Sequence, residues 1–495
     1  MRKILLYILS GTISISLLSS CNKFLDLKPE SSATTGNAYN TKDDIEAALV
    51  GAYSVLYTEY FIWDNVLLGD IRSDNAYSGG DAAEVNQYDA VNVSTLNIRI
   101  FYSWQQLFLG VARANLVLAK IPEINDPKLD QGGRREQIIG EAKFLRALFY
   151  SELVKQYGGV PLITSFGSVD PASSNVARAT EKEIYDAVIA DLEDALTKLP
   201  DSYESHSLSI SKATKGAANA LMAKVYAQKA DRDYNKVLQY CDAVINSPAG
   251  YQLHPSYPEL FDGQHYDNNE SILLTQFIAN TPQSNWGPQL YLPPSLTGDS
   301  WRKYGTPSKD LVKAYDDEGD AIRKAANILF EDAEWSDEHW KPCPAAGPIP
   351  FLYKWKNANG WSSGDNLYLF RLGDILLLKA EALNELDQPE PAKEIVKTIR
   401  HRVGLEPITA TTKEALRMAI LKERRLELAF EGQRWTDLIR ANQLNQVMNN
   451  LHETILTCDG GSTPINYNLN NNKWLLPIPQ SEMNRNNKLV QNPGY

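Results

Sequence analysis

Three carboxylates at four-residue spacing, Glu423, Glu427 and Glu431 in "KERRLELAFEGQRW", share one face of any helix that contains them. Two carboxyl groups about 5–10 Å apart are the equipment of a glycosidase, one as acid and one as nucleophile or base. The same stretch carries Arg424, Arg425 and Arg434. Guanidinium groups that close favour the ionised carboxylate, the opposite of what a general acid needs. Two readings follow: an enzyme built on Glu427 and Glu431, or an Arg–Glu network that fixes one helix against its neighbours. The arginines favour the network. Elsewhere there is no G-x-S-x-G, H-E-x-x-H or P-loop, and no G-x-G-x-x-G after a strand. The six histidines are scattered, with no pair at ligand spacing.

Aromatic and acidic side chains offer binding chemistry instead. Six of the ten tryptophans fall between 247 and 366: Trp286, Trp301, Trp335, Trp340, Trp355 and Trp361. Indole faces stack on the apolar faces of sugar rings, and Asp, Asn and Arg hydrogen-bond hydroxyls; the plain alternative is that these rings are core. Asp316, Asp317 and Asp320 in "YDDEGD", and the run Asp267 to Glu270, have the oxygen chemistry for a structural calcium ion. Their spacing is not that of an EF-hand loop, and solvated loop acids are the simpler reading.

The elements that must position these groups are mostly helical. Thr41 or Asn40 can cap a helix through "TKDDIEAALVGAYSVLY". Apolar residues recur at three and four through 103–121, 135–158, 180–199 and 234–246. Between the last two, "KATKGAANALMAKVYAQKA" carries a stripe of alanines that lets another helix approach closely. Helical periods return over 367–386, 391–404 and 412–442. Paired helices with small residues at set places suggest degenerate tetratricopeptide-like repeats. Three stretches break the pattern: 60–100, 247–366 and the Asn-rich 459–474. Disordered chains are poor in aromatics, so the long 247–366 excursion reads as ordered, functional loops.

The amino terminus supplies an address. Arg2 and Lys3 precede an uncharged apolar run from Ile4 to Leu18, too short for a comfortable span. It ends Leu18-Ser19-Ser20-Cys21, which resembles the bacterial lipobox and makes Cys21 a lipidated amino terminus. Residues 1–20 then read as signal peptide, 21–40 as anchor and tether, and 41–495 as one domain. That domain has a repeat-rich part (41–246), a loop-rich ligand part (247–366) and a helical part (367–495). The other cysteines, Cys241, Cys343 and Cys458, are far apart. At most one disulfide can form, and scattered cysteines of this kind read as small buried residues. The 495-residue chain carries 49 basic and 61 acidic residues, a net charge of −12. That argues against a nucleic-acid partner.

Seven segments, in order, resemble one family: "CNKFLDLKPESS", "EAKFLRALFYSELVKQYGGVPLI", "ATKGAANALMAKVYAQ", "LFRLGDILLLKAEALNEL", "IRHRVGL", "KERRLELAFEGQRWTDLIR" and "LPIPQSEMNRNNKLVQNPGY". The family is the SusD/RagB outer-membrane lipoproteins of Bacteroidetes. The resemblance implies a mainly α fold, a tetratricopeptide-like helix-pair superhelix with long, loop-rich aromatic excursions. It also implies a non-catalytic, lipid-anchored protein on the outer membrane, facing the cell exterior. Such a protein binds oligosaccharide, or peptide in the RagB branch, and delivers it to a SusC-like TonB-dependent transporter. Relatives often place polar ligand contacts where this chain has "RSDNAY", so Asp74, Asn75 and Tyr77 are expected contacts. Trp286, Trp301 and Tyr304 are the expected stacking platforms. A lipid-anchored glycosidase and a purely structural repeat protein remain the competing classes.

Overall fold

The computed structural model describes residues 38–167, 175–344 and 347–495. Cys21, the signal segment and most of the tether lie outside the described residues. The fold is mainly helical, as the periodicities require. Long helices run Lys42–Tyr53, Ile98–Lys120, Arg134–Tyr157, Glu181–Lys198, Lys215–Gln228 and Tyr234–Ile245. After the long excursion come Leu372–Glu385, Pro389–Arg402, Lys413–Glu427 and Arg434–Arg440. Side-chain caps start many of them: Thr41 and Thr180 form capping boxes with Asp44 and Glu183, and Thr214 and Asp233 accept from backbone N–H groups of their first turns.

Each long helix packs mainly on the next in sequence, from Ile98–Lys120 through to Tyr234–Ile245. The progression then crosses the excursion without a gap: Tyr234–Ile245 packs on Leu372–Glu385, which packs on Pro389–Arg402. This is the solenoid arrangement of helical repeats. The alanine stripe does what its spacing suggests. Ala217, Ala220, Ala223 and Ala227 are buried in the Lys215–Gln228 helix, which packs against five of the other helices named above. Ala230, beyond the helix end, is exposed.

Among the described residues, four two-stranded antiparallel ribbons accompany the helices: β1 (Ala76–Gly79) with β3 (Tyr304–Pro307), β2 (Ser271–Thr275) with β6 (Leu367–Arg371), β4 (Ile328–Asp332) with β5 (Pro348–Leu352), and β7 (Thr454–Leu456) with β8 (Ser462–Pro464). Three expectations change here. Helical periodicity was read from residue 367, but Leu367–Arg371 is strand β6, paired with β2, and the helix starts at Leu372. An alternating "LYLFR" satisfies both periods, and the available partner strand decides. The 60–100 stretch is not irregular: Tyr60–Asp64 and Leu67–Ile71 are π-helical turns with fully buried residues. Finally, Cys343 and Cys458 form a disulfide with Cα atoms 5.2 Å apart. It clasps the β7–β8 hairpin to the loop before β5, and only Cys241 is the small buried thiol expected of all three.

Candidate ligand-binding site

The carboxylates that opened the sequence argument come together, but with arginines. Glu427 is fully buried and pairs with Arg371 at 2.7 Å, Arg323 at 3.1 Å and Arg402. Glu423 pairs with Arg323 and Arg400, and Glu431 with Arg371 and Lys354. Burial alone would raise the Glu427 carboxyl; Arg402, Arg371 and Arg323 outweigh it and hold it far below the usual carboxylate range. A carboxyl held ionised this firmly has no proton to donate at neutral pH, and no solvent reaches it. The network ties the Lys413–Glu427 helix to β6, to the Pro389–Arg402 helix and, through Glu270, to the turn before β2.

The "RSDNAY" residues belong to a second network of this kind. Asp74 receives two 2.7 Å hydrogen bonds from Arg434 and lies 3.2 Å from Arg425. Asn75 donates to Asp70 at 2.7 Å and accepts from Arg425 at 2.8 Å. Asp70 in turn accepts from the backbone N–H groups of Phe430 and Gly432. Tyr77 stacks on His339, centroids 3.5 Å apart, and donates to Glu453 at 2.6 Å. All three are buried. The expectation that they touch ligand is corrected: their polar atoms are satisfied inside the protein. They instead anchor β1, whose partner β3 carries Tyr304.

The acids considered for calcium are likewise engaged. Asp316 pairs with Lys324, Asp317 with Lys313, Asp320 with the buried Arg323, and Asp267 with His206. Among the described residues no group of three or more His, Cys, Asp or Glu is placed to hold a metal ion.

The aromatic platforms fare differently. Trp286, Trp301 and Tyr304 are half-buried and packed edge-on to the core. The buried Trp63 joins them, 6.2 Å from Trp286 and 5.1 Å from Tyr304 between centroids. Trp301 lies 6.0 Å from Tyr304 and 6.1 Å from Trp361, the latter nearly parallel at 18°. At that spacing the two indoles are stacked with an offset rather than face to face, so each leaves part of a ring face uncovered by the other. Trp361 is 47 % exposed. Lys303 Nζ sits 3.7 Å over one face of Trp301 and pairs with Asp299. Burial pushes the Tyr304 phenol up, and the nearby Asp81 and Glu84 add to the effect. Asp81 and Glu84 are thus near enough to Tyr304 to act on it electrostatically.

Local structure explains how the rings are held out. A Cβ on Gly80 would stand 2.1 Å from the Tyr304 ring, so only glycine lets the chain pass over it. Asn285 zips two loops together. Its backbone exchanges hydrogen bonds with Ser363 at 2.8 and 3.0 Å, and its side chain donates to Asp365 O and accepts from Gly287 N. Trp286 and Trp361 are therefore positioned by one residue. Trp361 itself sits at φ +72°, a left-handed conformation unusual for a bulky side chain. Sequence reasoning noted Trp361 but did not select it; the Asn359-Gly360 turn signal just before it was the available clue.

Comparison with known proteins places this geometry. Residues 349–495 match the family described as "SusD family", and residues 23–227 match "Starch-binding associating with outer membrane". SusD-like protein P38 of Formosa agariphila is 29 % identical, over 98 % of this chain and 97 % of its own. Starch-binding protein SusD of Bacteroides thetaiotaomicron is 23 % identical over 72 % of each chain. Among solved structures, a laminarin-binding SusD-like protein aligns with TM-score 0.74 and 25 % identity, over 92 % of this chain and all of the other. A SusD superfamily protein of Parabacteroides distasonis aligns with TM-score 0.75 and 26 % identity, over 92 % and 99 %. Two family matches covering both ends, relatives spanning the full length and a shared helical architecture lead to one conclusion: the chain belongs to the SusD/RagB family.

Proposed function

We propose that the protein is a non-catalytic, carbohydrate-binding lipoprotein of the outer membrane. It captures oligosaccharide on the platform of Trp286, Trp301, Tyr304 and Trp361 and passes it to a SusC-like TonB-dependent transporter. The observation that carries the reading is the offset-stacked Trp301–Trp361 pair, with Trp361 47 % exposed and held in a left-handed backbone conformation. Lys303 occupies one face of Trp301, so a sugar ring stacks on the opposite one. The printed names of relatives, starch-binding and laminarin-binding among them, support the ligand class. The lipobox-like Leu18–Cys21 supports the anchor, with Cys21 lipidated and the body tethered to face the cell exterior.

Stacking contributes roughly 0.5–1.5 kcal/mol per ring beyond area burial. Removing both indoles in Trp301→Ala/Trp361→Ala is expected to weaken binding by about 5- to 150-fold while leaving the helical circular dichroism unchanged. Affinity electrophoresis and calorimetry against neutral polysaccharides and a peptide panel measure this. Undiminished glycan binding by the double variant sinks the platform; binding of peptides alone transfers the protein to the RagB-like reading.

A further inference from the structure

The segment that carries Trp361 has a second side. Between it and the 262–265 turn lies a cleft of about 520 Å³, whose lining includes Asp262, Gln264, Ala279, Lys356, Asn357 and Asn359. Asp365 organises its floor. The carboxylate accepts from the backbone N–H groups of Lys356 and Asn357 at 2.8 and 2.9 Å and from Asn357 Nδ2 at 2.8 Å. Gly263 closes the opposite wall at φ +82°, and a Cβ there would meet Asn357 Nδ2 at 2.5 Å and Asp365 Oδ1 at 2.7 Å. The cleft is thus built by close approach of two loops. Asn359 Nδ2 bridges to Asn280 Oδ1 and Ser362 O, fixing the rim. One residue, Gly360, separates Asn359 from Trp361 along the chain, at most about 7.6 Å between Cα atoms. The Asn359 rim of the cleft and Trp361 therefore belong to one turn of the chain.

Its charge selects what can enter. Lys356 Nζ donates to the carbonyls of Ala326 and Tyr353, each at 2.5 Å, so its hydrogens point into the protein. Burial pushes the Lys356 ammonium down to about 7. Burial also raises Asp365, whereas Asp262 is kept below its ordinary value because the Gln264 and His265 hydrogen bonds outweigh its partial burial. Asp365 and Asn357 are engaged with one another; the exposed Gln264 amide and the half-buried Asp262 carboxylate are the lining groups that suit hydroxyls. A sulfate or uronate would meet the Asp262 carboxylate, whose titratable partner is His265 at 2.7 Å, while the Lys356 hydrogens are engaged inside the protein; a like charge at the entrance is a means of exclusion.

We infer that this cleft is a second saccharide subsite, continuous with the Trp301–Trp361 platform. It receives the next neutral sugars of an extended chain and rejects uronate and sulfate-bearing ones. The inference rests on the carbohydrate-binding reading above, and its test separates the two.

The full chain is titrated calorimetrically with neutral gluco-, xylo- and manno-oligosaccharides of two to eight units, and with oligogalacturonides and sulfated oligosaccharides as anionic probes. Two variants probe the cleft: Ala279→Trp fills it, and Gln264→Ala removes an amide. Both positions are exposed, so the fold is spared. In the wild type, affinity rises with length for the bound neutral series and the anionic probes bind at least about tenfold more weakly. Ala279→Trp abolishes the rise, weakening the hexamer about tenfold or more while leaving the shortest binding oligomer within about twofold; Gln264→Ala weakens the hexamer about threefold, a partial loss. Hexamer affinity unchanged by Ala279→Trp, length-independent binding, or tighter binding of an anionic probe overturns the subsite. If Trp301→Ala/Trp361→Ala leaves all binding intact, the platform reading falls instead. Loss in that variant with none in Ala279→Trp removes the cleft alone, and no binding across the whole panel counts against both.

Discussion

Replacing Asp74 separates two roles, ligand contact and structural pin. Its carboxylate is 1 % exposed and lies between Arg434 and Arg425. Burial alone would raise its carboxyl; Arg425 and Arg434 outweigh that and bring it down to about 2. Asp74→Ala leaves the buried Arg434 without its counter-charge and Arg425 with Asp310 alone, and breaking a buried pair in this way costs about 3–5 kcal/mol. Linkage gives a separate figure. A carboxyl at about 2 in the fold and at its ordinary 3.8 when unfolded contributes roughly 2–3 kcal/mol. Because the folded value is the lower one, this stabilisation is fully present above the unfolded value. It is lost as the pH falls from about 4 toward 2. A chain of this length has an unfolding entropy near 1 kcal/mol/K, so the variant should melt about 3–5 °C lower at pH 7. The gap to wild type should narrow at pH 3. Calorimetric scans at both pH values measure it, with the conservative Asp74→Asn as a second variant should Asp74→Ala fail to fold. Ligand affinity of the folded variant should stay within about twofold of wild type. Wild-type melting at pH 7 together with lost ligand binding would refute the reasoning and return Asp74 to the binding surface.

The other two predictions concern the Arg–Glu network and the disulfide. Glu427→Gln should lower stability by about 3–5 kcal/mol in denaturant titration, because Arg323, Arg371 and Arg402 lose their shared partner; reducing-sugar release that depends on Glu427 in a stable protein would instead reinstate the glycosidase. Replacing Cys343 and Cys458 by serine opens a covalent loop spanning 115 residues, for which chain entropy allows up to about 4–5 kcal/mol. Limited proteolysis should then cut the exposed β7–β8 hairpin first, and an unchanged cleavage pattern would show that the clasp is not what holds it.

How much of this could be read from the sequence depends on which force decides each feature. Helices were legible because their burial is periodic and local: the 134–157 and 181–198 helices fall within a residue or two of the expected stretches. Features set by distant partners were not. Whether "LYLFR" is strand or helix depends on β2, nearly a hundred residues earlier, and the pairing of Cys343 with Cys458 depends on where two loops meet. The Arg–Glu network was legible because like and unlike charges at helical spacing already imply mutual neutralisation. The polar site contacts were not, because "RSDNAY" looks equally hydrophilic whether it faces water or Arg425 and Arg434. Charge in the sequence does not say which side of the surface it occupies.

The same comparison explains where binding is built. Most of the polar groups that looked functional in the sequence are internal and paired: Glu423 and Glu427, Asp74 with Asn75, and Asp320 with Arg323; Asp316, Asp317 and Asp267 are exposed and paired at the surface. Removing charges from water and pairing them fixes the relative positions of helices that would otherwise meet only through alanines and leucines, and it leaves the surface loops free of that task. Those loops then hold the strain. Asn280, Asn359, Gly360 and Trp361 all adopt positive φ within the two segments that Asn285 joins. A backbone conformation costing of order 1 kcal/mol or more at a tryptophan persists only when its surroundings over-determine it. Here the surroundings are the Asn285–Ser363 pair, the 2.8 Å hydrogen bond from Asn285 to Asp365 O, and Gln289, which accepts from Trp361 N. An indole set in place before ligand arrives loses little side-chain freedom on binding. On the proposed function, a shallow, open platform can therefore bind usefully without enclosing its ligand, and so release it again.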